Sequence, residues 1–232
     1  RVRIELEIAI NWLSGRVGFG KTNEKDWSKL VRVYQFLRNN RGSKIYFRKK
    51  EKMEIKVWID ASFACHEDRT SRTGSIITLS GGPISVSSKK QKLVSKNSTE
   101  AEIVGLTDEI VKPLWVRHVF MWIKSLTDET MEPIEVFQDN EACITIQSTG
   151  PKPNHRSKYI DIRFFWVGSL QDQKVIRLVH CRTRNMLADI NTKPKHGGDF
   201  IVLWKRSTGE LIVPNIDDNE WNADDYISLL ET

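Results

Sequence analysis

Apolar and polar positions along the chain follow two different rhythms. Residues 4–13 place Ile4, Ile8 and Leu13 near helical spacing, until Gly15, Gly18 and Gly20 break the pattern. Trp27, Leu30, Val31, Tyr34 and Leu37 then recur at helical intervals. Asn23 or Asp26 is available as the cap, and Asn39-Asn40-Arg41-Gly42 as the stop. Two helices this short cannot bury their apolar stripes alone, so they are expected to pack on each other or on another partner.

From residue 44 the period shortens. Lys44–Phe47 reads as a short extended piece, and Ile55–Asp60 and Gly74–Leu79 as strands. Gly81-Gly82 reads as a tight turn before a third strand, Ile84–Ser87. Asn97-Ser98-Thr99-Glu100 resembles a capping box opening a long helix, on which Ile103, Leu106 and Ile110 form one stripe. Pro113 should kink or split that helix before Leu114–Ile123 resumes it. Ile134–Gln138 reads as a strand ending at Asp139, followed by a helix over 140–148, a basic loop Pro151–Lys158 and a helix over 159–170. Val175–Val179 is the last strand, and Asn185–Asn191 a closing helix stopped by Pro194. The order from Ile55 is mixed α/β, with no internal repeat.

Composition narrows the class. Of 232 residues 39% are hydrophobic, including eight Trp and nine Phe, which is enough to fill a core. No apolar run approaches the length of a membrane span, so no membrane partner is expected. Three cysteines (Cys65, Cys143, Cys181) at wide spacing, with no CxxC pair, argue against a disulfide scaffold or structural zinc and read as small core fillers. The chain opens on Arg1 rather than Met and is read as a piece of a longer one. Its net charge of +6 conceals a gradient: residues 1–56 carry +9, residues 57–198 carry +3 and residues 199–232 carry −6. A basic front suits an anionic partner such as a nucleic acid, although a solvated face with an acidic tail has the same composition.

Four acids stand where a strand ends or a helix faces apolar neighbours. Asp60 closes Val57-Trp58-Ile59, Asp139 follows Ile134–Gln138, Glu102 lies beside Ala101 and Ile103, and Asp189 sits within Met186–Ile190. Each alone reads as a cap or a buried hydrogen-bonder. Four together ask for a cation, because an isolated buried carboxylate loses its hydration at a cost of several kcal/mol. Oxygen-only ligands point to magnesium or manganese.

Longer words along the chain now become recognisable. Ile59–Ala64, Arg69 to Gly74 and Ile84–Lys92 resemble the copia-type RNase H segment of retrotransposon Pol polyproteins. So do Ser98–Glu102, Asp139-Asn140, Arg156–Arg163 and Ala188–Pro194. The match runs in order over residues 54–195, and residues 1–50 resemble the helical connection that follows the polymerase. Residues 196–232 form an acidic tail without an assigned role. The resemblance implies an α/β, RNase H-like fold: a five-stranded mixed sheet flanked by helices, here with a short N-terminal helical appendage. It implies cleavage of the RNA strand of RNA–DNA hybrids using two Mg2+ ions, which Mn2+ can replace. It further implies an adjoining reverse transcriptase as partner and a cytoplasmic setting, in virus-like particles, with the nucleus as the alternative.

Carried over by motif, Asp60, Glu102, Asp139 and Asp189 would be both catalytic and metal-holding, with Glu100 a first-turn helix acid. Ser87, Ser88, Lys89, Lys90, Gln91 and Lys92, with Asn140, Arg156 and Lys158, would contact the hybrid, largely through phosphates and 2′-hydroxyls. His180, at a strand end without the usual long loop, reads as structural or solvent-facing. The chain departs from the family pattern at Ser62, Val86, Pro113 and Gly168. These departures keep open an alternative, a nucleic-acid-binding relic that grips without cutting.

Overall fold

The structure is a computed structural model describing residues 3–18, 20–48, 53–124, 131–149 and 166–211. Its centre is a five-stranded sheet of β1 (Ile55–Ser62), β2 (Arg72–Leu79), β3 (Gly82–Lys90), β4 (Ile134–Gln138) and β5 (Ile176–His180), in the order β3-β2-β1-β4-β5. β1, β2 and β3 pair antiparallel, while β4 and β5 run parallel to β1. This is the RNase H-like, five-stranded mixed sheet that the sequence words imply.

The helices are α1 (Glu7–Ser14), α2 (Glu24–Asn39), α3 (Ser98–Glu109), α4 (Val111–Lys124), α5 (Glu141–Thr149), α6 (described over 166–172), α7 (Asp189–Thr192) and α8 (Gly197–Ser207). None among the described residues is long and apolar enough to cross a membrane.

Both faces of the sheet are covered, which is why its central strands read as near-continuous apolar runs. On one face Val57, Ile59, Ile77 and Val136 pack with Ile103, Leu106 and Ile110 of α3, Cys143 of α5 and Val167 of α6. On the other, Trp58, Ile76, Val86 and Phe137 pack with Met186, Leu187, Ile190, Ile4 and Leu203. Trp58 and Phe137 stack at 4.9 Å between centroids, filling the wide gap between neighbouring strands with two flat rings.

Local chemistry sets the ends of the elements. Asn23 caps α2 in a reciprocal box with Asp26. Asn97 caps α3 by accepting from the Glu100 N–H at 2.8 Å, whereas the Glu100 carboxylate reaches back to the N–H of Lys96 at 2.7 Å. The expected long helix divides at Ile110, three residues before Pro113. Proline has no N–H to offer the carbonyl of Glu109, and its ring would clash there, so it sits instead in the first turn of α4. The β2–β3 turn is made by Ser80 and Gly81, both at positive φ (49° and 85°), with Gly82 already paired to Leu79. It lies one residue before the expected Gly81-Gly82. β3 runs through Lys90, beyond the expected Ser87; as an edge strand it tolerates both Pro83 and terminal lysines. In place of one helix over 185–191 the chain makes a 3-10 turn, Thr183–Asn185, and the single-turn α7. Lys193, extended before Pro194, ends α7.

The segments flanking the sheet meet each other. Ile4 is 1% exposed in the second core, beside Leu203 of α8. Phe36 of α2 lies 5.4 Å from Trp204 and 5.9 Å from Phe200. The Tyr46 N–H donates to Thr208 O at 2.9 Å, and the Arg48 guanidinium donates to the carbonyls of Gly209 and Glu210. The stretch after residue 195 therefore contributes a packed helix, with Val202, Leu203 and Ser207 buried, before the acidic residues that follow.

Candidate metal centre

Asp60 occupies β1 opposite Gly74 of β2 and is 1% exposed. The glycine lets α7 seat on the sheet. A Cβ there would lie 2.7 Å from Thr192 Cγ2 and 2.9 Å from both Ala188 O and Asn191 Cβ. With α7 seated, Ser88 Oγ donates to Asn191 O at 2.6 Å and the Thr192 hydroxyl donates to Asp60 Oδ2. Glu102, on α3, is buried beside β1 and accepts from Gln138 Nε2 at 3.2 Å. The same Gln138 side chain accepts the N–H of Asp139 at 2.8 Å and of Asn140 at 3.2 Å, fixing where β4 ends. Asp139 accepts from Thr183 Oγ1 at 3.3 Å.

These elements bring carboxylate oxygens of Asp60, Glu102 and Asp139 within 4.8 Å of one another. Burial, compounded by the neighbouring acids, pushes the Asp60 carboxyl up to about 7, against the opposing pull of Lys193 and Thr192. Burial first, then Asp60 and Asp139, raises Glu102 well above the glutamate range. Asp139 is raised too, by burial and by Asp189, with Lys193 opposing. The raised values express the cost of three like charges sharing a pocket largely removed from water. A hard divalent cation removes that cost, and a buried set of oxygen donors is the chemistry such ions take.

Asp189 is also fully buried, at the start of α7, but its carboxylate faces two ammonium groups: Lys193 Nζ at 2.8 Å and Lys195 Nζ at 2.7 Å. Lys193 also reaches Asp60 Oδ1 at 3.5 Å, so it links the fourth acid to the other three. Lys193 lies in the Ala188–Pro194 word without being singled out by it, and Gln138, behind Glu102, carries no mark beyond its adjacency to Asp139.

The expected substrate residues divide. Ser87, Ser88 and Gln91 are buried and spend their side chains internally. Ser87 donates to Glu109, Ser88 donates to Asn191 O and accepts from Arg72, and Gln91 Nε2 donates to Thr73 Oγ1 and Ala101 O. Lys89 pairs with Glu109 at 3.2 Å, Lys90 pairs with Asp68 at 2.5 Å, and Lys92 is exposed. Asn140 accepts from the Cys143 N–H at 2.9 Å, capping α5. Arg156 and Lys158 lie outside the described residues. His180 is half exposed, 3.8 Å from Glu141. Cys143 and Cys181 are buried fillers and Cys65 is partly exposed, all as free thiols.

No protein-family model matches the chain. It is 29% identical over 213 residues to the retrovirus-related Pol polyprotein from transposon RE2 of Arabidopsis thaliana, a match covering 91% of this chain and 14% of that protein. It is also 29% identical over 171 residues to the retrovirus-related Pol polyprotein from transposon TNT 1-94 of Nicotiana tabacum, covering 73% and 12%. Its homologues over most of its length are thus copia-type Pol polyproteins, of which it spans about one seventh or less. Among solved structures, LC11-RNase H1 in complex with RNA/DNA hybrid aligns with 60% of this chain and 93% of its own, at 17% identity and a TM-score of 0.41.

Proposed function

We propose that this chain is the RNase H segment of a copia-type Pol polyprotein, a divalent-metal-dependent endoribonuclease that cuts the RNA strand of RNA–DNA hybrids beside an adjoining reverse transcriptase. One observation carries the reading: three carboxylates from β1, α3 and the end of β4, two buried and one half-buried, converge within 4.8 Å with raised pKa values. Three acids so placed destabilise the fold unless a cation is drawn in, so their presence is best explained by an ion. Homology to Pol polyproteins and the strand order support the same class.

Asp60, Glu102 and Asp139 would hold the metal, with Asp189 as the fourth acid. When bound, two Mg2+ or Mn2+ ions would polarise the scissile phosphate, lower the pKa of an attacking water and stabilise the leaving oxygen. The chain's own residues do the positioning. Thr192 holds one oxygen of Asp60, Gln138 holds Glu102 and the backbone at Asp139, and Lys193 balances charge between Asp60 and Asp189. Lys89, Lys90 and Lys92, with Asn140, Arg156 and Lys158, would meet the phosphates and 2′-hydroxyls of the hybrid, and Ser87, Ser88 and Gln91 would shape the strand that presents the lysines.

The test is an end-labelled RNA–DNA hybrid incubated with the protein, with and without Mg2+. The expected result is RNA fragments only when the metal is present. Intact RNA in both conditions, from folded protein, overturns the proposal, and so does cutting that survives a chelator.

A further inference from the structure

Arg72 opens β2 and is only 1% exposed, yet its charge has no opposite charge nearby. Its Nη1 donates to Asn11 Oδ1 at 2.5 Å and to Ser88 Oγ at 2.9 Å, and its guanidinium lies 5.1 Å from the centre of the Trp12 ring. All three partners are neutral, and the Cys65 thiol beside it is at most a weak one. Among the described residues no carboxylate lies within ion-pairing distance of Arg72, and its Nε has no hydrogen-bond partner. A buried guanidinium in this condition is costly, because neutral partners replace only part of its lost hydration and no counter-charge offsets it.

Beside it is a cavity of about 260 Å³ where α1 meets the β1–β2 loop, lined by Arg16, His66, Arg72 and Lys90 together with Glu67 and Asp68. Neither acid offsets Arg72. Glu67 is 94% exposed, and Asp68 is taken up by Lys90 and Thr70. His66 packs against Trp12, tilted, at 4.9 Å between ring centres, and leaves a second buried nitrogen, Nε2, without a partner. Burial first, then Arg72 and Lys90, lower the His66 pKa, a sign that the local potential is positive.

We propose that this cavity is an oxyanion site of phosphate size, drawn by the uncompensated charge of Arg72 and by His66 in its wall, with Arg16, which also pairs with Asp26 at 3.4 Å and Glu67 at 4.0 Å, at the rim. The volume admits one tetrahedral anion with a few waters, at about 30 Å³ per water. Guanidinium and imidazole are groups of the kind phosphate oxygens take as partners. Arg72 pairs with Ser62, two residues beyond Asp60 along β1, so the cavity lies one strand across and about 6.8 Å along the sheet from the acidic centre. The phosphate could be free, or part of a nucleic-acid backbone passing that centre. The site itself depends on neither source, nor on cleavage.

The test is calorimetric titration of the metal-free 232-residue chain with inorganic phosphate against chloride at matched ionic strength, repeated for Arg72→Met, Arg16→Gln and His66→Phe. Saturable phosphate binding is expected for the wild type, weakened about tenfold or more in each variant. Arg16 and His66 are not fully buried, so those variants decide the question even if Arg72→Met fails to fold. No saturable binding overturns the site, as does binding that Arg16→Gln and His66→Phe leave unchanged. A second arm separates the sources. If phosphate weakens hybrid binding in the wild type and not in Arg16→Gln, the site takes a backbone phosphate. If hybrid binding is indifferent to phosphate, it takes the free ion. Either result upholds the pocket.

Discussion

Glu102 and Glu109 stand two turns apart on one helix, and both are buried, at 5% and 2% exposure. Their surroundings are opposite. Glu109 lies over the β2–β3 half of the sheet, where Ser75 donates to it at 2.5 Å, Ser87 at 3.5 Å and Lys89 at 3.2 Å, and Lys112 closes the ring. Although burial works to raise its pKa, those donors carry it below the ordinary glutamate value. Glu102 has only the Ala61 backbone and one side-chain amide against burial and two facing acids, and its pKa is driven up. A single helix thus carries one carboxylate whose charge the protein neutralises by itself and one whose charge it leaves for something else. The first pattern holds a fold together; the second lowers its stability and marks a site.

The largest separation should come in the chemistry. Asp60→Asn or Glu102→Gln is expected to reduce hybrid cleavage by about a thousandfold or more while hybrid binding survives, because only the ion-held step is lost. Glu109→Gln, assayed identically, should stay within a few-fold of wild type. Equal losses at both glutamates would erase the distinction.

Stability should reverse the ranking. Glu109→Ala leaves the buried Ser75 and Ser87 hydroxyls without their acceptor and is expected to cost about 1–3 kcal/mol in urea unfolding. Glu102→Gln, unfolded without divalent ions, should be stabilising by about 1–3 kcal/mol, since it removes a repelled charge. A destabilised Glu102→Gln would mean that its charge is already satisfied.

The smallest effect is in pH. The Asp60 carboxyl, raised to about 7, binds a proton in the folded state that the unfolded chain has already released above its ordinary pKa. Stability of the metal-free protein should therefore fall as pH rises from about 4 to about 7, the window between the ordinary and the raised carboxyl pKa. Glu109 has the opposite sign: its contribution is present above the ordinary glutamate pKa and is lost only in acid, as pH drops through its lowered folded value. Millimolar Mg2+ should flatten the first slope and leave the second alone.

The sequence makes one of these glutamates visible and hides the other. Glu102 stands in a word, Ser98–Glu102, whose family resemblance names it, and Asp60 is the polar residue that ends an apolar strand. Glu109 has no such signal. Its partners lie 34, 22, 20 and 3 residues away, and only the pairing of Ser75 with Ser87 across β2 and β3 assembles them. The length of β3 was hidden because Lys89 and Lys90 look like loop, yet an edge strand can end in lysines. The division at Ile110 follows from Pro113 once its missing N–H is traced back four residues. In α8, Phe200, Leu203, Trp204 and Ser207 repeat at helical spacing, a period that the acidic composition of residues 199–232 masks.

The stitching of residues 46–48 to 208–210, with Ile4 buried beside Leu203, bears on how the molecule is made. A ribosome delivers Ile4 some two hundred residues before the helix that covers it. The second face of the nascent sheet stays partly open until α8, the last helix among the described residues, closes it like a keystone. A fragment cut after Lys195, however sensible by motif, would keep that face open and cohere with its own copies; any expression boundary should run past Leu211.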